Sequence, residues 1–184
     1  MIEIVDDFID LQSKEEITKL IEDKQLPLYY HPDSVEGDGK SFFCHVMKLR
    51  NEDTEGDDNG VRSPLLQTFI RVLAQYHRKY KPEQNCTVKI NRAAINVTYP
   101  NGHSEGVWHK DHEYPHKHFV LFLNNPEDTE AYLEIQDEES IYKVVPQQWK
   151  GVVMDDYLHR AIYPKVGTRW VLVMTFEEHE VPSI

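Results

Sequence analysis

From Thr87 to Phe176 the sequence is a series of short apolar or alternating runs cut by strong turn formers. That texture leaves room for little except antiparallel strands. Val88–Ile90 and Ala94–Tyr99 come first, closed by Pro100-Asn101-Gly102. Phe119-Val120-Leu121-Phe122-Leu123 is a continuous apolar run of the length of a buried strand, and Asn124-Asn125-Pro126 ends it. Tyr132–Ile135 and Ile141–Val145 alternate on either side of Asp137-Glu138-Glu139, which predicts a hairpin. Gly151–Met154 is a further strand, Pro164–Gly167 a turn, and Arg169–Phe176 the last strand. The polar tail from Glu177 to Ile184 is expected to fray.

The N-terminal part reads differently. Ile2–Val5 alternates as a short strand. Ser13-Lys14-Glu15-Glu16 has the form of a capping box, with Ile17, Leu20 and Ile21 on one helical face as far as about Lys24. Ser63-Pro64 predicts the start of a second helix, whose stripe Leu66, Phe69, Ile70, Leu73, Tyr76, His77 and Tyr80 should pack on a sheet. His77 is explained by that stripe and needs no ligand role. Ser41–Met47 reads as a strand. Asn51–Gly60 is acidic, misses the calcium-loop pattern, and reads as a mobile surface loop near the substrate.

Two helices followed by about eight strands predict a mainly β protein with flanking helices: a double-stranded β-helix, or jelly roll, with the N-terminal helices packed on one sheet. The expected unit is a single domain over 1–184, with strand and helices in 1–85 and the jelly-roll core in 86–176. A net charge of -12 disfavours nucleic acid as a partner. With no apolar run long enough to span a bilayer and no signal-like N-terminus, the expectation is a cytoplasmic protein without a membrane partner. Cys44 and Cys86 lack any framework spacing and fit a reducing compartment.

The chemistry concentrates between Trp108 and Val173. His109 and Asp111 stand at i and i+2, so an extended backbone turns both to one side and Lys110 to the other. His159 comes from a later strand end. Two neutral imidazoles and a carboxylate are the facial ligand set of a non-haem Fe(II) site, with three positions left free. A 2-oxo acid fills two of them and O2 the third. Arg169, ten positions after His159, can clamp a carboxylate in a two-pronged hydrogen bond. Two antiparallel strands would bring His159 and Arg169 into one cavity. His116 and His118 form a rival pair but lack a well-spaced carboxylate and arginine. His112 and His116 are expected to line the mouth, Asp155 and Asp156 to sit in a turn, and Trp108 and Trp170 to pack on outer faces.

These residues carry a resemblance. Tyr99-Pro100-Asn101-Gly102 ahead of Trp108-His109-Lys110-Asp111, then Phe122-Leu123-Asn124, Gly151–Met154, Leu158-His159-Arg160 and Val166–Trp170, resemble the prolyl 4-hydroxylase-like branch of the Fe(II)/2-oxoglutarate oxygenases over roughly residues 86–176. The resemblance implies His109, Asp111 and His159 as iron ligands. It implies Arg169 as partner of the distal carboxylate of 2-oxoglutarate, and Tyr99 as a residue aimed at that co-substrate. It implies O2 as oxidant, admits ascorbate, and points to a peptidyl prolyl or other protein side chain as substrate. Two departures stand out. Phe122 replaces a tyrosine that could have helped Arg169, leaving Thr175, Tyr99 or water for that part. Thr129-Glu130-Ala131-Tyr132 stands where relatives often carry a glycine pair. The rival readings are a non-catalytic cupin-like module binding a metal or small acid and, further off, a nucleic-acid demethylase, which the charge opposes.

Overall fold

A computed structural model describes residues 1–23 and 26–181. Its elements run β1 (Ile2–Val5), α1 (Leu11–Glu22), β2 (Tyr29–His31), β3 (Phe42–Lys48), a 3-10 turn at Asn51–Asp53, and α2 (Leu66–Tyr80). Then follow β4 (Cys86–Thr98), β5 (Lys117–Phe122), β6 (Leu133–Gln136), β7 (Ile141–Val144), β8 (Gly151–Asp155), β9 (Leu158–Ala161) and β10 (Arg169–Glu180). A seven-stranded sheet is ordered β1-β8-β5-β10-β4-β3-β2, and a three-stranded sheet β7-β6-β9 faces it. Every named pairing is antiparallel, as in a double-stranded β-helix. None of the described helices is long and apolar enough to cross a membrane.

Strand alternation builds two cores from the large sheet. On one face Phe119, Leu121, Ile95, Leu172 and Met174 pack against Phe69, Val72, Leu73 and Tyr76 of α2 and Ile17 of α1. On the other, Val120, Phe122, Val152, Met154 and Val171 pack against Leu133, Ile135 and Val144 of the small sheet. Each large apolar side chain buried this way contributes roughly 1.5–3 kcal/mol. Helices therefore cover one face of the sheet, and the opposite face, where it opens, is left for chemistry.

Several boundaries differ from the sequence reading. The cap of α1 is Asp10, whose carboxylate accepts from the Ser13 N–H at 2.7 Å, so the helix begins at Leu11 before the expected capping box. Its expected end at Lys24 lies outside the described residues. Ahead of α2, Ser63 Oγ accepts from the Leu65 N–H and pairs with His45, and the helix proper starts only at Leu66. Val88–Ile90 and Ala94–Tyr99 are parts of one strand, β4. A bulge joins them: Thr175 pairs with Arg92 but Phe176 with Ile90, leaving Asn91 unmatched. The extra residue reverses the alternation, so Val88 and Ile90 pack on the helix-side core together with Ile95 and Val97. Far from fraying, Glu177–Glu180 continue β10; residues 182–184 lie outside the description. The 51–60 loop is tied down by Asn51 Nδ2 donating to Asn91 Oδ1, Thr54 Oγ1 to the Asn51 carbonyl, and Arg62 to Asp58.

Candidate active site

A two-residue bridge sets His109 against His159. The His109 N–H donates to the His159 carbonyl at 3.1 Å and the His159 N–H returns the bond at 3.0 Å, which docks the 107–111 segment on β9. Each imidazole then donates its Nδ1 proton to a carbonyl two residues back, His109 to Val107 at 3.0 Å and His159 to Tyr157 at 3.1 Å. Both tautomers are thereby fixed with the Nε2 lone pair free. His109 Nε2 lies 3.8 Å from Asp111 Oδ1, and one donor atom from each of His109, Asp111 and His159 falls within 4.8 Å of the others. Lys110 points away, to Asp156 Oδ2 at 3.1 Å. Among the described residues this is the one such cluster of three.

The electrostatics suit a cation. Burial by itself would raise the Asp111 carboxyl; Arg92 above all, then His118, His159 and His109, overcome it and hold the group well below the usual carboxylate range. Burial pushes the His159 imidazole down to about 4 in spite of Asp111, so it is neutral and ready to donate its lone pair at physiological pH. Asp111 Oδ2 is buried without a hydrogen-bond partner. Its nearest neighbours are His118 Nδ1 at 3.5 Å and Arg92 Nη1 at 3.8 Å, while Oδ1 faces His109; a buried carboxylate without a hydrogen bond beside two open imidazole lone pairs fits a divalent metal ion.

The triad opens on a cleft of about 830 Å³, counting its mouth. One wall is the large sheet: Arg92, Asn96 and Thr98 of β4, Val120 and Phe122 of β5, Arg169, Val171 and Val173 of β10. The other includes Leu133, His159 and Ala161, with Ser34, Phe42, Arg50 and Tyr163 from loops and the β3 end. Arg169 is buried, and Nη1 leans on the carbonyls of Ala131 at 3.3 Å, Tyr132 at 3.1 Å and Ile162 at 3.5 Å. The segment in place of a glycine pair thus supplies two of the oxygens that steady the guanidinium. No carboxylate pairs with Arg169 among the described residues, and Nε has no partner. Burial lowers its pKa to about 10, which leaves it charged. An unpaired buried guanidinium on a cleft fits an acid's carboxylate.

His109, Asp111, His159 and Arg169 therefore meet in one cleft, but not by the expected route. β9 and β10 do not pair; they belong to different sheets and face each other across the barrel. Tyr99 and Thr175 stand elsewhere. Tyr99 bonds through its hydroxyl to Ser41 Oγ at 2.8 Å and packs on Phe43, while Thr175 Oγ1 bonds His112 Nε2 at 2.7 Å, six residues along β10 from Arg169. The groups beside Arg169 are Thr98, its register partner, whose Oγ1 is buried and unpartnered, and Tyr163, whose phenol interacts electrostatically with the guanidinium. Alternation from Asn96 would have found Thr98; nothing local marks Tyr163.

His112 and His116 do not line the mouth. Both are buried, His112 between Glu52 at 2.7 Å and Thr175, His116 between the Tyr114 carbonyl at 2.8 Å and His118 Nε2 at 2.7 Å. The His116–His118 pair spends its facing nitrogens on each other and lacks a third ligand. Of the two aspartates expected in a turn, Asp156 occupies the one between β8 and β9, while Asp155 is the last residue of β8 and pairs with Lys117. Trp108 carries the Arg160 guanidinium 4.6 Å above its ring, and Trp170 packs on the helix-side core.

No protein-family model matches this sequence, and no curated protein is similar to it in sequence. Solved structures are similar in fold. An oxidoreductase of the 2OG-Fe(II) oxygenase family from Burkholderia pseudomallei aligns over 97% of this chain and 86% of its own, at 15% identity and a TM-score of 0.76. A prolyl hydroxylase from Trichoplax adhaerens, in complex with a hypoxia inducible factor peptide fragment, aligns over 95% and 82%, at 10% identity and a TM-score of 0.64. The alpha ketoglutarate dependent carbocyclase SnoK from nogalamycin biosynthesis aligns over 100% and 83%, at 8% identity and a TM-score of 0.65. The fold of this chain is that of the Fe(II)/2-oxoglutarate oxygenases, prolyl hydroxylases among them.

Proposed function

We propose that residues 1–184 form one Fe(II)- and 2-oxoglutarate-dependent oxygenase unit that hydroxylates a C–H bond. The observation that carries this reading is the convergence of three open donor atoms with an acid-free buried guanidinium in a single cleft. His109, Asp111 and His159 would hold the ferrous ion. When bound, that ion supplies activation of O2: one oxygen atom enters the substrate C–H bond as hydroxyl, and the other enters succinate as 2-oxoglutarate loses CO2.

The chain's own residues supply binding and exclusion. Arg169, with Thr98 and Tyr163 beside it, would hold the distal carboxylate of the co-substrate. Val120, Phe122, Val171 and Val173 line the space between and keep it apolar, which strengthens every charge contact inside. The Val107 and Tyr157 carbonyls keep both imidazoles in the metal-binding tautomer.

For substrate we propose a protein or peptide side chain, with peptidyl proline the first to test; this rests on fold analogy to hydroxylases of that kind. A cytoplasmic setting fits the two free thiols, Cys44 and Cys86. The test is anaerobic titration of the Fe(II) protein with 2-oxoglutarate, followed by oxygen-dependent succinate formation. A weak visible chelate band and succinate are expected from the native protein. Loss of both is expected in His109→Ala and Asp111→Ala, and native turnover in both variants would refute the ligand assignment. A band without any turnover across candidate peptides would favour the acid-binding module instead.

A further inference from the structure

The cleft holds more positive charge than a metal and a co-substrate require. Besides Arg169 it is lined by Arg50 and Arg92, in a chain whose net charge is -12. Arg92 Nη1 stands 3.8 Å from Asp111 Oδ2 and Arg50 Nη2 3.6 Å from Asp111 Oδ1. Both separations exceed hydrogen-bond length. Neither guanidinium donates a hydrogen bond to protein among the described residues, and Arg50 Nε is buried without a partner. Asp111 is the one carboxylate lining the cleft. A ferrous ion would take its charge and a 2-oxoglutarate dianion would answer the ion and Arg169 only in part, so Arg92 and the partly exposed Arg50 keep an excess of positive charge that Glu52, beside Arg50, answers only in part. Such charges are costly unless an anion joins them.

Position separates this pair from Arg169. Arg169 faces Thr98 across the β10–β4 ladder, and Arg92 faces Thr175. Six residues of strand put roughly 20 Å between the two backbones, and Asp111 of the triad lies at the Arg92 end. A diacid that gives one carboxylate to Arg169 and the other to the metal has none left for Arg50 and Arg92. The pair is also held in place. Arg50 immediately precedes the 3-10 turn Asn51–Asp53, and Glu52 of that turn grips His112 Nδ1 at 2.7 Å while Asn51 bonds Asn91 beside Arg92. The β4 bulge at Asn91 lies next to Arg92, a usual place for such an irregularity to aim a functional side chain.

Resting on the oxygenase reading, we infer that the substrate carries a carboxylate, and that Arg50 and Arg92 bind it on the far side of the metal from Arg169. The carboxylate has two sources, a free acid or an acidic side chain of a peptide.

The test uses the full chain loaded with Zn(II), which is redox-inert, and 2-oxoglutarate. Binding is followed by isothermal titration of N-acetylproline and N-acetyl-Pro-Asp-methylamide, each against its neutral counterpart, N-acetylprolinamide and N-acetyl-Pro-Asn-methylamide. At least one acid should bind tenfold or more tightly than its amide, and which one does so identifies the source. Arg50→Gln and Arg92→Gln should each reduce that preference below threefold, while Arg50→Lys and Arg92→Lys retain part of it. The Fe(II)–2-oxoglutarate band should persist in Arg50→Gln. Equal binding of acids and amides, no binding by either acid, or a preference surviving in the double glutamine variant would overturn the inference. A missing chelate band in the native protein defeats the oxygenase reading itself; a normal band without acid preference defeats this inference alone.

Discussion

Replacing Arg169 by methionine should make the ligand-free protein more stable. Arg169 is 4% exposed, and burial lowers its pKa from the ordinary arginine value to about 10. The sign follows directly: the folded state releases the proton more readily, so folding is penalised once pH falls below the ordinary arginine pKa, and the full penalty applies below 10. At pH 7.5 two to three pKa units correspond to about 3 kcal/mol, an order-of-magnitude figure. Against this stand the Nη1 contacts with the Ala131, Tyr132 and Ile162 carbonyls. The Ile162 contact is at the limit of length, and the Tyr132 carbonyl also takes the Ile162 N–H at 2.9 Å, so it is not stranded. Their loss costs about 1–2 kcal/mol. Methionine fills the space of the arginine stem. The net expectation is a gain of about 1 kcal/mol, read by urea unfolding of metal-free protein. In protein already saturated with Zn(II), 2-oxoglutarate at a hundred times Kd should raise the native chain by about 2.7 kcal/mol and leave the variant, which keeps the zinc ligands, nearly unchanged, so the order reverses. A variant clearly less stable without ligand, or one stabilised equally by 2-oxoglutarate, would refute the reasoning.

The remaining predictions concern acid and packing. Metal-free protein should lose stability as pH falls from 6.5 toward 4, by up to about 3 kcal/mol, because His159 is held neutral down to about 4 and takes up a proton on unfolding; urea midpoints across that window should flatten in His159→Gln, and an unchanged slope would sink the account. Gly151→Ala would set a Cβ 2.8 Å from Val5 Cγ2 and 3.2 Å from the Phe119 ring, a destabilisation of about 1–3 kcal/mol by thermal or urea unfolding. Adding Val5→Ala should recover part of that loss, and strict additivity would show that the clash is relieved elsewhere.

Much of this was legible in the residues, and the gaps have physical causes. The helices were legible from their apolar stripes, the ligand triad from His-x-Asp with a distant histidine, and Arg169 from its spacing. β4 was legible only in pieces, because the Asn91 bulge breaks the alternation that reveals a strand. Likeness to a motif singles out Tyr99 and passes over Thr98, which alternation from Asn96 turns inward. Arg50 and Arg92 look like surface charges in any local window. Long-range contacts bring the first of them to the cleft: Glu52 with His112, sixty residues on, and Asn51 with Asn91, forty residues on. The same contacts tie down the start of an acidic loop that reads as mobile and place Arg50, just ahead of it, in the lining of the cleft.

Register ties stability to chemistry in this protein. Along β5, β10 and the later half of β4, successive residues serve opposite purposes. Phe119, Leu121, Leu172, Met174 and Ile95 hold the helices, and their immediate neighbours Val120, Phe122, Val171, Val173 and Asn96 line the cleft. A slip of one residue would exchange the two sets and place apolar side chains where Arg169 and Thr98 stand. The helix-side core therefore does more than hold the sheet up. By penalising the wrong register with the exposure of several large side chains, it fixes which face of the sheet carries charge. That fixed register lets three buried or half-buried guanidiniums persist in a cleft with one carboxylate, a stable fold giving up some of its stability to keep a site ready for anions.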